Sequence, residues 1–249
     1  MPSGMFSKQA IYASAKFNAN YSDTVIGGAL TTAPSGLTPA SQFQQTLPGD
    51  RVIFSPADAK FWQNNNTQLL YTGTFRYVAS RNNSSSAPTR GHGAFWDLSA
   101  LAAANNNGAN EATDALYQVT SDEAANIGVS MFAGVFINNM TKGNYWWIQE
   151  SGKCTCIFRT TLTGNATIGA GVYLAGAGNN NNAQDVGAFD QLYGANAGTT
   201  FSGANTNNSY IAIDNMFTRF VGVAEQLPVA NNNVGQLVDV NFWRGSYRW

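Results

Sequence analysis

Charge is what this sequence has least of. Asp, Glu, Lys and Arg make up 11% of its 249 residues, against roughly a quarter in an average soluble domain. The net charge is −1, and Lys and Arg form no cluster. The chain therefore lacks the phosphate-neutralising patch that sequence-independent nucleic-acid binding requires, and no nucleic-acid partner is expected. Histidine occurs once, as His92 in Thr89-Arg90-Gly91-His92-Gly93. One imidazole builds neither a His-Glu-x-x-His zinc site nor a facial triad. Without a Gly-x-Ser-x-Gly elbow to work with, His92 reads as a surface-loop residue. The four glutamates (Glu111, Glu123, Glu150, Glu225) and ten aspartates show no spacing that singles out an acid/base pair for glycoside hydrolysis. Gly169-Ala170-Gly171 and Gly176-Ala177-Gly178 lack the Lys-Ser/Thr ending and the following helix of a phosphate loop. No catalytic residue, metal or cofactor is expected, and the chain does not read as an enzyme.

Cysteine is nearly absent as well. Cys154 and Cys156 stand two apart in a predicted strand, on one face and about 7 Å from each other. That spacing is too wide for an unstrained disulfide. They read as two small buried hydrophobes, with a bridge between copies of the chain as the less favoured alternative. No stretch approaches the ~18 consecutive apolar residues of a membrane span. The first 22 residues, MPSGMFSKQAIYASAKFNANYS, hold no apolar segment of leader-peptide length. The expectation is a soluble protein made in a cytoplasm, with no membrane partner. The Asn-x-Ser/Thr triplets at Asn82, Asn139 and Asn165 then carry no weight.

What the chain has instead is apolar bulk and amides. Hydrophobic residues make up 44% and aromatics 12%, enough for a real core at this length. Asn occurs 29 times, with runs at Asn64–Asn66, Asn105–Asn107, Asn179–Asn182 and Asn231–Asn233. Asn and Gly favour turns over helices, so these runs mark connections between strands. Strand patterns cover Arg51–Phe54, Leu69–Val78, Val129–Ile137, Tyr210–Asp214 and Phe217–Glu225, and Val186–Tyr193 reads as ordered. In Leu69–Val78 an aromatic face (Tyr71, Phe75, Tyr77) alternates with a more polar one, as in a half-buried strand. Short helices are predicted over Lys8–Lys16, Phe95–Ala104 and Ser121–Asn126. Between Gly134 and Thr161 three β-rich runs (Gly134–Asn138, Asn144–Gln149, Cys154–Thr161) are punctuated by Asn138–Gly143 and Glu150-Ser151-Gly152. Those residues are of hairpin-turn type.

The fold class that follows is mainly β: a compact sandwich or barrel-like domain of short antiparallel strands. Residues 1–50, rich in Ala, Ser, Thr, Gly and Pro, read as an extended N-terminal arm. Their apolar surface is too small to offset roughly 1–2 kcal/mol per residue of backbone ordering. Residues 51–227 form the β-rich core, and residues 228–249 a separate tail, with the last strand of the core as the alternative reading of that tail. In that tail Phe242, Trp243, Arg244, Tyr247, Arg248 and Trp249 have the aromatic-plus-Arg composition of interface hot spots. They are the candidate interface residues, removable without loss of the central fold. Trp62, Tyr71, Trp146, Trp147 and Tyr173 offer stacking faces for a sugar.

The segment Gly134-Val135, then Gly143-x-Tyr145-x-Trp147-Ile148-Gln149-x-x-Gly152-Lys153-x-x-x-Ile157, is followed by Ala166-Thr167-Ile168-Gly169-x-Gly171-Val172-Tyr173 and closes on Val221-Gly222-Val223-Ala224. Spanning Gly128 to Glu225, this pattern resembles the head decoration (cement) proteins of tailed bacteriophages. The resemblance implies a structural virion protein on the outer surface of the head, stapling neighbouring capsomers. Its partners would be the major capsid protein and copies of itself, as trimers or other clusters at local symmetry axes. The rival reading is a head-fibre or tail adhesin that binds host surface glycans. A cell-wall-degrading enzyme is weaker for want of an acid/base pair.

Overall fold

The computed structural model describes residues 7–8, 10–11, 46–55, 57–58, 73–80, 87–97, 116–121, 132–158, 171–174, 187–191, 220–224 and 237–242. Ten strands dominate them: β1 (Arg51–Phe54), β2 (Gly73–Ser80), β3 (Gly93–Trp96), β4 (Gln118–Thr120), β5 (Phe132–Phe136), β6 (Tyr145–Ile157), β7 (Gly171–Leu174), β8 (Phe189–Gln191), β9 (Phe220–Ala224) and β10 (Leu237–Phe242). The protein is mainly β. The sheet runs β1-β2-β4-β3-β5-β6-β10-β9-β7-β8, and β2 also pairs with β6. That extra pairing closes β2, β4, β3, β5 and β6 into a barrel-like ring. Every named strand pair is antiparallel except β2–β4. Strands β10, β9, β7 and β8 continue from the far half of β6, and a parallel bridge between Phe158 and Phe189 brings β8 back to the end of β6.

Strand β6 is the hinge of the architecture, because its 13 residues serve both halves. Tyr145–Gln149 pair with β2, and Gly152–Ile157 pair with β10. Here the expected hairpin fails. Glu150-Ser151-Gly152 is not a turn but lies inside β6, where the register against β2 slips between Thr74 and Phe75. Ser151 faces Thr74 and Gln149 faces Phe75, so Glu150 is the extra residue of a β-bulge. Gly152, two residues on, stays paired with Gly73 although its φ is 94°, a conformation glycine tolerates in a strand as in a turn. The Asn138–Gly143 cluster does connect β5 to β6, and Asn144 N–H donates to the Thr141 carbonyl at 3.1 Å.

Strand β2 is buried from Phe75 to Ser80, on both faces rather than one. Tyr77 sits opposite Trp147, with ring centroids 5.2 Å apart and edge-on, and it stacks on Tyr145 at 6.2 Å. Phe54 meets Phe75 edge-on at 5.4 Å. Such pairs add about 0.5–1.5 kcal/mol each beyond their area burial. Phe95 and Trp96, expected to open a helix, belong to β3, while the rest of that prediction from residue 98 lies outside the described residues. The paired β4 and β5 on either side of β3 outweigh a weak local helix preference. Strand β1 coincides with its predicted limits; β5, β8 and β9 fall inside theirs. The predicted strand over Tyr210–Asp214 lies outside the described residues, as does Ser121–Asn126 beyond Ser121.

Both predicted ends need correction. Ser7, Lys8, Ala10 and Ile11 are helical, and Ile11 is fully buried in the same core as Val52 and Phe54. This part of residues 1–50 is therefore not an extended arm. Lys8 holds it with an ion pair to Asp58 at 2.8 Å and lies over the Phe54 ring at 5.9 Å. Asp58 belongs to a capping box at Ser55-Pro56-Ala57-Asp58. Ser55 N–H donates to the Asp58 carboxylate at 2.9 Å, and Asp58 N–H donates to Ser55 Oγ at 3.2 Å. That Ser-x-x-Asp spacing is legible in sequence. At the other end, β10 lies within the segment taken as a separate tail. Six residue pairs join it to β6 and three to β9, so the tail is not detached from the core at residue 228.

The Lys8 ammonium, followed by the Ser55 hydrogen bonds, lowers the Asp58 pKa from 3.8 to about 2. A carboxylate depressed in the folded state stabilises it fully above the unfolded value of 3.8, and that contribution is lost as pH falls through about 2. Both side chains of the pair are about a quarter exposed, so solvent screening holds the contribution to roughly 1 kcal/mol or less. Asp58→Asn is expected to lower the urea midpoint slightly at pH 7 and to match the wild type near pH 2. Unfolding curves at the two pH values check this.

Candidate interaction surface

Strand β1 is the outer strand of the sheet and, among the described residues, pairs with β2 alone. Its burial alternates, with Val52 and Phe54 inward and Arg51 and Ile53 outward. The large hydrophobics exposed among the described residues are Leu47 (70%), Ile53 (66%) and Leu116 (52%), of which Ile53 lies on β1 itself. Gly49, two residues after Leu47, lies so close to the Tyr117 ring that an added Cβ would stand 2.4 Å from Tyr117 Cε2. Leu116 immediately precedes Tyr117. Ile53 shares its outward face with Arg51, whose cross-strand partner Arg76 stands 5.5 Å from the Tyr117 ring. An edge strand carrying outward apolar side chains is a template for another chain.

Behind this edge sits a buried charge cluster. Arg51 and Arg76 are direct cross-strand neighbours, a like-charged pair that would repel on its own. The bulge in β6 places the Glu150 carboxylate between them. Arg76 Nε donates to Glu150 Oε1 at 2.5 Å, and Arg51 Nε approaches Oε2 at 3.0 Å. Arg76 and Glu150 are 4% and 3% exposed, whereas Arg51 is 45% exposed. The Arg76 guanidinium also lies 5.5 Å from the rings of both Trp96 and Tyr117, in cation–π range. Those rings meet edge-on at 6.2 Å. The cluster thus ties β1, β2, β6 and the β3–β4 region into one rigid edge. Its carboxylate is occupied by two guanidiniums, which is a structural role rather than that of an acid/base.

The residues singled out in the sequence are placed as follows. Phe242 ends β10, opposite Gly152 of β6 and Gly222 of β9. Trp243, Arg244, Tyr247, Arg248 and Trp249 lie outside the described residues. Trp146 and Trp147 are 1% and 0% exposed, so neither offers a face to a sugar. Tyr173 is a residue of β7, and Trp62 and Tyr71 lie outside the described residues. His92 is half-buried, with its N–H donating to Thr89 O at 3.0 Å and its carbonyl accepting from Phe136 N–H. Among the described residues no group of three or more His, Cys, Asp or Glu could hold a metal ion. No helix among them is long and apolar enough to cross a membrane. Sequence reasoning missed both the β1 edge and the cluster behind it. Ile53 alternating with Arg51 was the one visible signal of the former. Arg76 and Glu150 are 74 residues apart and become partners only once β2 and β6 pair. Compared with known proteins, the chain matches no family model and no curated protein.

Proposed function

We propose that this chain is a structural virion protein: a capsid decoration, or cement, protein that binds the outer surface of a phage head. There it staples neighbouring capsomers, with the major capsid protein and copies of itself as partners, after synthesis in the host cytoplasm. The observation that carries this reading is where the resembling residues fall. Gly134-Val135 lie on β5, Tyr145–Ile157 are β6, Gly171–Tyr173 lie on β7 and Val221–Ala224 on β9, all strands of one sheet. All ten strands belong to that sheet, so the support lies in the resembling segments coinciding with strands, not in their sharing a sheet. Low charge supports it too, since a surface of amides and hydroxyls packs at high copy number without strong repulsion. The β1 edge, with Ile53 exposed on its outward face, is the surface this reading assigns to the shell.

Purified protein is expected to co-sediment with expanded, undecorated heads, and failure to do so removes the reading. Ile53→Lys is expected to weaken that co-sedimentation by about tenfold, or roughly 1.4 kcal/mol, while leaving the urea unfolding curve within about 0.5 kcal/mol of wild type. An unfolding curve that collapses would instead make Ile53 a folding residue.

A further inference from the structure

The outer side of β1 is an open backbone rim. Tyr77 N–H donates to the Asp50 carbonyl at 2.9 Å, and successive residues of an antiparallel strand alternate in the side to which their N–H and C=O point. Val52 and Phe54 therefore bond to β2, opposite Phe75 and Gly73, while the N–H and C=O of Arg51 and Ile53 point away from the sheet. Among the described residues no backbone group bonds to them there. Edge strands are commonly guarded by charged side chains or proline. The sequence of β1, Arg-Val-Ile-Phe, has one charge and no proline, and Glu150 engages that charge from behind.

We propose that β1 pairs antiparallel with β1 of a second copy about a two-fold axis at Val52, joining the two sheets edge to edge. The register follows from which groups are open. With the axis at Val52, Arg51 of each copy faces Ile53 of the other, so every open N–H and C=O on both rims finds a partner. Moving the axis to Arg51 sets the two guanidiniums directly opposite, which is unfavourable. It also turns Ile53 toward Gly49, whose N–H is already given to the Tyr77 carbonyl. Moving the axis to Ile53 turns Arg51 toward Ser55, whose N–H is given to Asp58.

A second copy is the occupant because β1 is complementary to itself in this register: donor meets acceptor, and no like charges are directly opposed. Side chains directly across an antiparallel pair share a face. Both Ile53 side chains, 66% exposed in the single chain, thus end on one outward face, each beside the alkyl stem of the other copy's Arg51. The interface is small, in the weak and transient size class, so association is expected at high protein concentration. The pairing stands on the strand edge and goes beyond the virion reading, specifying how copies of this chain meet.

The test uses the full chain by itself, in sedimentation equilibrium from low micromolar to near-millimolar concentration, with amide exchange followed by NMR across the same range. The expected result is a monomer–dimer equilibrium. In it the Arg51 and Ile53 amides gain roughly tenfold or more protection as concentration rises, while those of Val52 and Phe54, already bonded to β2, do not change. Ile53→Glu, Ile53→Gln and Ile53→Lys read the register, since position 53 faces Arg51 of the other copy twice per dimer. Association is expected to weaken in that order, with the first and last separated by roughly tenfold or more. A monomer at every concentration, a trimer, or Ile53→Lys associating as tightly as Ile53→Glu would overturn the proposal. So would a dimer in which the Arg51 and Ile53 amides exchange as in the monomer. Heads are absent from this experiment, so its failure leaves the co-sedimentation test standing.

Discussion

Replacing Glu150 by alanine is expected to cost about 3–5 kcal/mol of folding stability, among the largest effects of any single substitution in this chain. The carboxylate neutralises two guanidiniums at once, and Arg76 is 4% exposed. Without Glu150 the Arg76 charge stays desolvated beside Trp96 and Tyr117 with its ion pair gone, facing Arg51 directly across the β1–β2 pair. Removing the whole pair is a different matter. In Arg76→Met combined with Glu150→Leu no charge is left buried, and buried ion pairs replaced by apolar groups of similar volume are often neutral. The double variant is expected to recover most of the loss. Urea unfolding of the wild type, both single variants and the double variant gives the cycle. A Glu150→Ala loss below about 1 kcal/mol would mean that water reaches the cluster.

Gly134→Ala is the second large effect. Gly134 has φ 154°, and a Cβ added there would stand 2.4 Å from the Gln149 carbonyl oxygen and 3.0 Å from its carbon. Those atoms are backbone of β6 and cannot swing away. The next pair along, Val135 with Gln149, is one of two that join β5 to β6, so a methyl group here pries the ring open at one of its short ladders. A loss of roughly 3 kcal/mol or more is expected from strain and clash together. Thermal unfolding followed by near-ultraviolet circular dichroism checks it, since Trp146, Trp147 and Tyr145 sit on the strand being displaced.

Much of the strand content was readable because β-branched and aromatic runs bounded by Asn and Gly are local signals. Arg51–Phe54 is a clean case: two outward and two inward residues in strict alternation. What failed was punctuation. Gly152, with positive φ, sits in a paired strand here as readily as in a turn, so a 13-residue strand read as two short ones. The choice between them is made by β2, whose pairing continues across Gly152 and Ser151. Phe95-Trp96 went to a strand for a similar reason, since β4 and β5 flank it. The Arg51–Glu150–Arg76 cluster was not legible at all, because the charges come from three separated segments and meet only through register. Ile11 was hidden for the opposite reason. One apolar residue in a weakly patterned stretch carries no periodicity, yet the core accepts it.

Because β10 supplies the partner for Gly152–Ile157, that half of β6 waits for a segment made about 80 residues later. Residues 145–157 are made long before Leu237–Phe242, and in the interval the far half of β6 has an open ladder. At about 5–20 residues per second that interval is on the order of 4–16 seconds. The first ring, β2 to β6, can close on the ribosome, whereas the second cannot be completed until residues 237–242 have emerged. Long-range pairings of this kind make for slow folding. Truncated or prematurely terminated chains are thus expected to carry a ready-made sticky ladder, and ribosome stalling ahead of residue 237 should recruit chaperones.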